Sequence, residues 1–405
     1  MTNLLEYLEI LTEAVDKGEN VDVLYLDFAR AFDKVPIRRL LAKVQGVGIS
    51  GSLLGWIEEW LRGRQQRVVI KGEASGWREI LSGVVQGSAL GPLLFLIFIN
   101  DLDLEISGGG TFVNKFADDT KAGAVVNTEE EAGNFQASIS RLVEWARKWQ
   151  MEFNLGKCHV MHFGKKNRKH QYFMGSHTVT ASNREEDLGI QIADNLRPSA
   201  QCAAAAKRAN SVLGQMSRAL SYRDRNTFLS LYKSHVRPHL EYAVQAWAPW
   251  TKQDCSILEA VQRRAVNMIS GLQGSYEDKL QELSLPTLEA RRKRGDQIQV
   301  FKVMAGIDEV DSDVWFERME NRGGATSTRA TSNALAIKEK NTTSMKEPRL
   351  HFWGTRSIQT WNSLPEHARR AGSVNLFKDY YDEWVGTAVG NRTGNNRSNM
   401  NHENQ

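Results

Sequence analysis

The hydrophobic period of this chain changes once, near Ser199, and that change limits the folds open to it more than any other feature. Ahead of it, strand-length runs alternate with helical ones; beyond it only the helical period remains. An amphipathic helix is predicted over 4–15. Residues 22–28 (DVLYLDF) then form a strand, and Pro36 opens a helix that Gly46 and Gly48 close. Residues 65–71 and 77–81, split by GEASG, predict a hairpin, and the loop SGVVQGSALGP leads into a buried helix over 90–104. Two short strands, 111–117 and 120–126, meet at Asp118-Asp119. Thr128 with Glu131 is a capping box that starts a helix running through Trp149, and short strands continue to about Ile192. From Ser199 onward helices are expected over CAAAAKRANSVLGQMSRAL, FLSLYKSHVRPHLEYAVQAW, SILEAVQRRAVNMISGL and 286–304. Strands and helices therefore alternate up to about Ile192, and the half beyond Ser199 is largely α.

Composition narrows the function classes. At 405 residues, 41% hydrophobic, 25% charged and net +4, the chain is neither collagen-like, wholly disordered nor strongly acidic, and two or three domains are expected. Cys158, Cys202 and Cys255 stand far apart with no CxxC pair, which argues against a disulfide framework or a cysteine zinc site. The longest apolar run, 90–99, contains Gly91 and Pro92 and is far shorter than the roughly 20 residues a bilayer requires, so no membrane partner is expected. The opening segment carries Glu6, Glu9, Glu13 and Asp16, where a secretory or mitochondrial leader needs a basic, acid-poor start. An intracellular protein of the nucleus or cytoplasm is expected, with RRKR at 291–294 as the one import-like run or, equally, a helix face.

Charge is distributed unevenly. Ahead of Asp27 stands one base, Lys17, against six acids, so this segment would repel a phosphate backbone. From Arg141 to His170 there are eight bases against two acids, a stretch suited to a polyanion. Basic pairs recur on the helical half at Lys207-Arg208 and Arg263-Arg264, each of which also reads as a solvated face.

Asp27 ends an otherwise apolar strand, and Asp118-Asp119 sit where two strands meet. Nucleotidyl transfer needs carboxylates that converge on divalent cations, and buried acids without a cation are costly. Taken singly, each has an ordinary reading as a strand-end cap or as turn chemistry. In order and spacing, however, YLDFARAFDKVP, SGVVQGSALGPLLFLIFINDL and KFADDTK closely resemble the central motifs of reverse transcriptases from non-LTR (LINE-type, jockey-like) retrotransposons.

That resemblance implies an α+β class with a polymerase palm, a small antiparallel sheet backed by helices, over 1–165, a mostly helical thumb and connection region over 166–310, a flexible linker over 311–350, a C-terminal helical segment over 351–385 and a disordered tail over 386–405. It implies an RNA-directed DNA polymerase that joins dNTPs to a primer 3′-hydroxyl, with an RNA template, a DNA primer and two Mg²⁺ (Mn²⁺ as an alternative). Asp27, Asp118, Asp119 and the Phe28 carbonyl would hold the metals. Lys157 would protonate pyrophosphate, or be a surface lysine. Phe32 would gate the ribose 2′-hydroxyl, or be a core aromatic. Gln86-Gly87 would contact nucleotide and template, although Val85 stands where the family has proline. His162-Phe163-Gly164 falls at the primer-grip hairpin, or is an edge strand with polar ends. Lys207, Arg208, Arg263 and Arg264 would face the duplex, and Trp247, Trp250, Trp353 and Trp361 would stack on bases or be buried. The family's fingers motifs and endonuclease have no counterpart in the residues ahead of Asp27, so a truncated copy is expected, with a catalytically inactive remnant or nucleic-acid-binding fragment as the alternative. Template, target site and oligomeric state are not readable from sequence.

Overall fold

The computed structural model describes residues 1–106, 110–319 and 335–398, the stretch 387–398 for its backbone alone. It divides into two compact units, Lys17–Leu188 and Met1–Asp16 together with Gly189–Gln405.

The Lys17–Leu188 unit is built on a five-stranded sheet. Its strands, numbered along the chain, are β1 (Val21–Leu26), β2 (Thr111–Phe116), β3 (Asp119–Val125), β4 (His159–Phe163) and β5 (Thr180–Ala181), in the order β5-β4-β1-β3-β2. Central β1 is almost wholly buried, as its β-branched and apolar sequence dictates. The expected sheet was antiparallel; the observed one is mixed, because β5 joins β4 in parallel. β5 also carries the unit past the expected boundary at 165. Helices Leu90–Ile99 and Glu129–Trp149 place Phe95, Phe98, Phe135, Ile139, Leu142 and Trp145 in one core against β1. Each such side chain contributes about 1.5–3 kcal/mol by leaving water. The capping box at Thr128 and Glu131 forms as expected. The helix expected over 90–104 instead stops at Ile99, and a separate short helix, Leu102–Ile106, follows.

The predicted hairpin exists, but its turn is not GEASG. Val69–Ile70 pairs with Glu73–Ala74, and Lys71 and Gly72 make the turn with φ of 51° and 91°. A two-residue hairpin loop of this hand needs both central residues at positive φ. Gln65–Gln66 pairs with Arg78–Glu79 further down the arm.

The second unit is helical. Long helices Ser199–Ala219, Lys252–Asn267 and Leu288–Met304 match the sequence expectation, whereas the segment around HVRPHLEYAVQAW is broken. A π-turn, Tyr232–Val236, precedes Pro238, and Ala243 takes φ 52° between Pro238–Glu241 and Val244–Trp247. Proline lacks the N–H that a continuous helix requires. Helix Thr2–Lys17 belongs, as far as Asp16, to this unit rather than to the sheet-bearing one, and its apolar stripe of Leu4, Leu5, Tyr7, Leu8 and Leu11 is buried. Glu9, 4% exposed, bonds Arg349 Nη2 at 2.5 Å, and Arg349 Nη1 donates to Thr12 Oγ1 at 3.2 Å.

Of the expected linker 311–350, residues 320–334 lie outside the described residues. On either side the chain is packed, with Trp315, Phe316 and Ile337 buried. The last helix, Val374–Ser398, enters the stretch expected to be a disordered tail, and 399–405 lie outside the described residues. Phe377 anchors that helix by stacking on Phe301 at 4.5 Å. Among the described residues no helix is long and apolar enough to cross a membrane, and the three cysteines are unbonded.

Candidate active site

The strand registers bring the predicted acids together. β1 pairs with β3 so that Leu26 lies opposite Thr120, and with β4 so that Tyr25 lies opposite His159. The ladders end there: Asp27 follows directly after β1, Asp119 is the first residue of β3 and Lys157 closes the turn 155–157 ahead of β4. Asp27 and Asp119 line the same cleft. Lys157 Nζ lies 3.8 Å from Asp27 Oδ2, with its side chain largely in solvent. Asp27 is held from behind, its carbonyl accepting from Asn154 N at 2.8 Å. Phe28 makes an antiparallel bridge with Phe153 through the bonds of its neighbours, Ala29 N to Glu152 O and Asn154 N to Asp27 O. The Phe28 carbonyl therefore turns away from that pairing.

Asp118 and Asp119 differ in place. Phe116 pairs with Asp119, which makes Asp119 the first residue of β3 and leaves Ala117 and Asp118 as the turn. Ala117 adopts φ 55°, a region alanine rarely enters, so the turn carries local strain.

Asp27, Asp119, Lys157 and His159 line a cleft of about 390 Å³ whose far wall is Glu185, Glu186 and Asp187. Asp118 is not among its lining residues. Desolvation pushes the Asp119 carboxyl above the usual carboxylate range, and the charges of Asp118, Asp187 and Asp27 push the same way while Lys121 opposes them. The cleft is thus short of positive charge. Its donors are hard oxygens, which fit a divalent cation such as Mg²⁺. Among the described residues no group of three or more His, Cys, Asp or Glu side chains converges closely enough for a metal by itself.

Other expected residues fall elsewhere. Phe32 is half-buried and stacks on Phe95 with centroids 4.4 Å apart. Gln86 is exposed and donates to Asp33 Oδ1 at 2.6 Å, while Gly87 takes φ 79° in open space. Of His162-Phe163-Gly164, expected at a primer grip, His162 and Phe163 are buried at the end of β4. His162 pairs with buried Asp22 at 2.7 Å, and Asn167 and the Tyr172 hydroxyl bond the same carboxylate. Phe163 is fully buried, and Gly164 is needed because a Cβ would lie 2.5 Å from Asn20 Oδ1. β5 pairs with β4 at His159 and Val160, ahead of this stretch. In the helical unit Lys207, Arg208, Arg263 and Arg264 are exposed, with Arg263 over the Tyr276 ring. Trp247, Trp353 and Trp361 are buried, and half-buried Trp250 stacks on His351, which disfavours base stacking.

Sequence reasoning missed Lys121, Asp187 and the glycines of the Gln86 loop. Lys121 makes a nearly buried ion pair with Asp187 that ties the 184–187 strand to β3. The signal was present: one lysine in an otherwise small, apolar strand, two residues from Asp119 and hence on its face. A Cβ on Gly91 would lie 2.3 Å from Val85 O, and one on Gly83 2.7 Å from Asp33 O.

The family described as "Reverse transcriptase (RNA-dependent DNA polymerase)" matches residues 3–215. The chain is similar to a probable RNA-directed DNA polymerase from transposon X-element of Drosophila melanogaster, 27% identical over 271 residues, which covers 65% of this chain and 30% of that protein. It is 27% identical over 272 residues to the RNA-directed DNA polymerase from mobile element jockey of Drosophila funebris, covering 64% of this chain and 29% of that one. It thus spans about 30% of the length of these curated relatives. Among solved structures, apo telomerase from Candida tropicalis aligns with TM-score 0.39 and 10% identity over 66% of this chain and 45% of that one.

Proposed function

The chain belongs to the reverse transcriptase (RNA-dependent DNA polymerase) family, and from that premise we propose that it carries the palm of an RNA-directed DNA polymerase of a non-LTR retrotransposon. The observation that supports this most is the one cleft lined by Asp27 at the end of β1, Asp119 at the start of β3 and Lys157, whose Nζ lies 3.8 Å from Asp27 Oδ2. In this reading a primer 3′-hydroxyl attacks the α-phosphate of a deoxynucleotide paired with an RNA template, a new P–O bond forms and pyrophosphate leaves.

Asp27 and Asp119, with Asp118 from the turn and the Phe28 carbonyl, would hold two Mg²⁺, which when bound supply Lewis-acid charge to the attacking and leaving oxygens. Mn²⁺ would substitute. The protein's own part is positioning, which carries most of phosphoryl-transfer catalysis. β1 and β3 fix the two carboxylates on one rigid sheet. Lys157, mobile in solvent beside Asp27, reaches the leaving pyrophosphate and donates its proton. Phe32 gates the ribose, the Gln86-Gly87 loop meets the nucleotide, and Lys207, Arg208, Arg263 and Arg264 meet phosphates.

Primer extension on an RNA template with Mg²⁺ and dNTPs tests the reading. The chain is expected to incorporate dNTPs, and Asp27→Asn or Asp119→Asn to lower the rate by at least about 100-fold, the scale of losing a charge-stabilising group. Undiminished extension by either variant would refute the site. No extension by the unaltered chain would favour the inactive remnant.

A further inference from the structure

The arm over 65–79 has no part in the site described, yet its surface is unusual. Every residue from 65 to 79 is exposed. Val68, Val69, Ile70 and Trp77 are each more than half exposed, at 63%, 56%, 66% and 58%. A hydrophobic ribbon that packs on nothing is a liability unless something covers it. Its charge says what. From Arg62 to Leu81 the chain carries Arg62, Arg64, Arg67, Lys71 and Arg78 against Glu73 and Glu79. Arg67 lies over the Trp77 ring, 4.6 Å from its centroid, and Lys71 is at the tip of the turn.

We propose that this arm is a nucleic-acid-binding β-ribbon that enters the groove of a double-stranded nucleic acid, grips its phosphates with Arg67, Lys71 and Arg78 and sets Val69 and Ile70, on opposite faces of the ribbon, against the two walls of that groove. A two-stranded ribbon fits a groove, and basic ribbons with apolar tips hold duplexes in this manner. A second copy of this chain is the poorer occupant, because it would set two arms of excess positive charge against each other. The inference rests on the proposed function only for the class of partner, and its test does not depend on catalysis.

The full chain is titrated against a fluorescent RNA–DNA duplex by anisotropy at 50 and 200 mM salt, beside a triple variant (Arg67→Gln, Lys71→Gln, Arg78→Gln) and a form in which 65–79 is replaced by a short Gly-Ser turn. The arm is joined to the body at Arg64 and Ile80, whose backbones bond at 2.9 Å, so both variants are expected to melt as the parent does. Three phosphate contacts add about 2.7 to the salt slope, so from 50 to 200 mM the parent should lose about 40-fold more affinity than the triple variant. The armless form should bind at least 10-fold more weakly than the parent at 50 mM. No binding by the parent, or equal affinity and salt slope in all three, overturns the proposal. Light scattering adds a further check: a dimer that the armless form cannot make, with duplex affinity unchanged, also overturns it. Failure of primer extension alone leaves these binding results unaffected, so the two readings fail separately.

Discussion

Lys43 offers the most direct quantitative check on the packing behind the site. It lies on helix Ile37–Gly46, its side chain 7% exposed, and its ammonium donates to Asp101 Oδ1 at 2.6 Å and to the Phe98 carbonyl. The rings of Phe98, Trp145 and Trp149 surround it at 4.7, 4.8 and 3.8 Å. Desolvation lowers its pKa from 10.5 to about 8, Lys148 adds to that, and Asp101 and Glu105 oppose it. A difference of this size is worth about 3 kcal/mol. The folded pKa lies below the unfolded one, so the cost is fully present below about pH 8 and unfolding takes up a proton above it. Stability from this group therefore rises with pH between about 8 and 10.5. Other groups act against it. Burial raises the thiols of Cys158 and Cys202 and the phenols of Tyr172 and Tyr232, so their unfolded forms ionise first and stability falls as pH passes their unfolded values. Lys43→Met cancels that background. Asp101 keeps the Trp145 indole N–H at 2.9 Å in the variant. Urea denaturation of both proteins at pH 7.5, 8.5 and 9.5 should show the parent gaining on the variant by about 2 kcal/mol over this range. Parallel profiles would refute the buried, desolvated placement of this lysine.

Further outcomes follow from particular contacts. Gly91→Ala places a methyl against Val85 O and should lower the urea midpoint by more than 2 kcal/mol equivalent, about the cost of overpacking, together with loss of extension; a variant as stable as the parent refutes the loop geometry. Asp22→Asn weakens the bonds of buried His162, Tyr172 and Asn167 and should cost about 1–3 kcal/mol in the same assay, with His162→Gln additive to it only in part. Arg349→Met leaves Glu9 buried and unpaired and should cost about 3–5 kcal/mol, against little for the double variant with Glu9→Leu. Phe32→Val separates two roles: ribonucleotide use should rise at least 10-fold if this ring gates the sugar, whereas a loss of stability with unchanged sugar choice makes it a core residue stacked on Phe95.

Local rules carried much of the reading. Periodicity and caps placed β1, the Asp118-Asp119 hairpin and helix Glu129–Trp149, because short-range propensity and tertiary packing agree there. The acids, each with an ordinary reading when taken singly, were picked out by the order and spacing of the three motifs that carry them. What sequence left hidden is non-local. Nothing within helix Thr2–Lys17 says that Glu9 meets a residue more than 300 positions away, and Lys121 gives no name to its partner Asp187. His162 read as a contact residue because of its place in the family resemblance, and only the three-dimensional register shows that Asp22 lies beside it in the core.

The assignment of Thr2–Lys17 to the later unit has a consequence for biosynthesis. Leu4, Leu5, Tyr7, Leu8 and Leu11 leave the ribosome hundreds of residues ahead of Trp315, which donates to the Leu5 carbonyl, and of Arg349. At about 5–20 residues per second, that greasy face waits roughly 20–60 s for its partners. Over that interval a chaperone has an exposed amphipathic helix to hold, and the segment Lys17–Leu188 can complete its own sheet first.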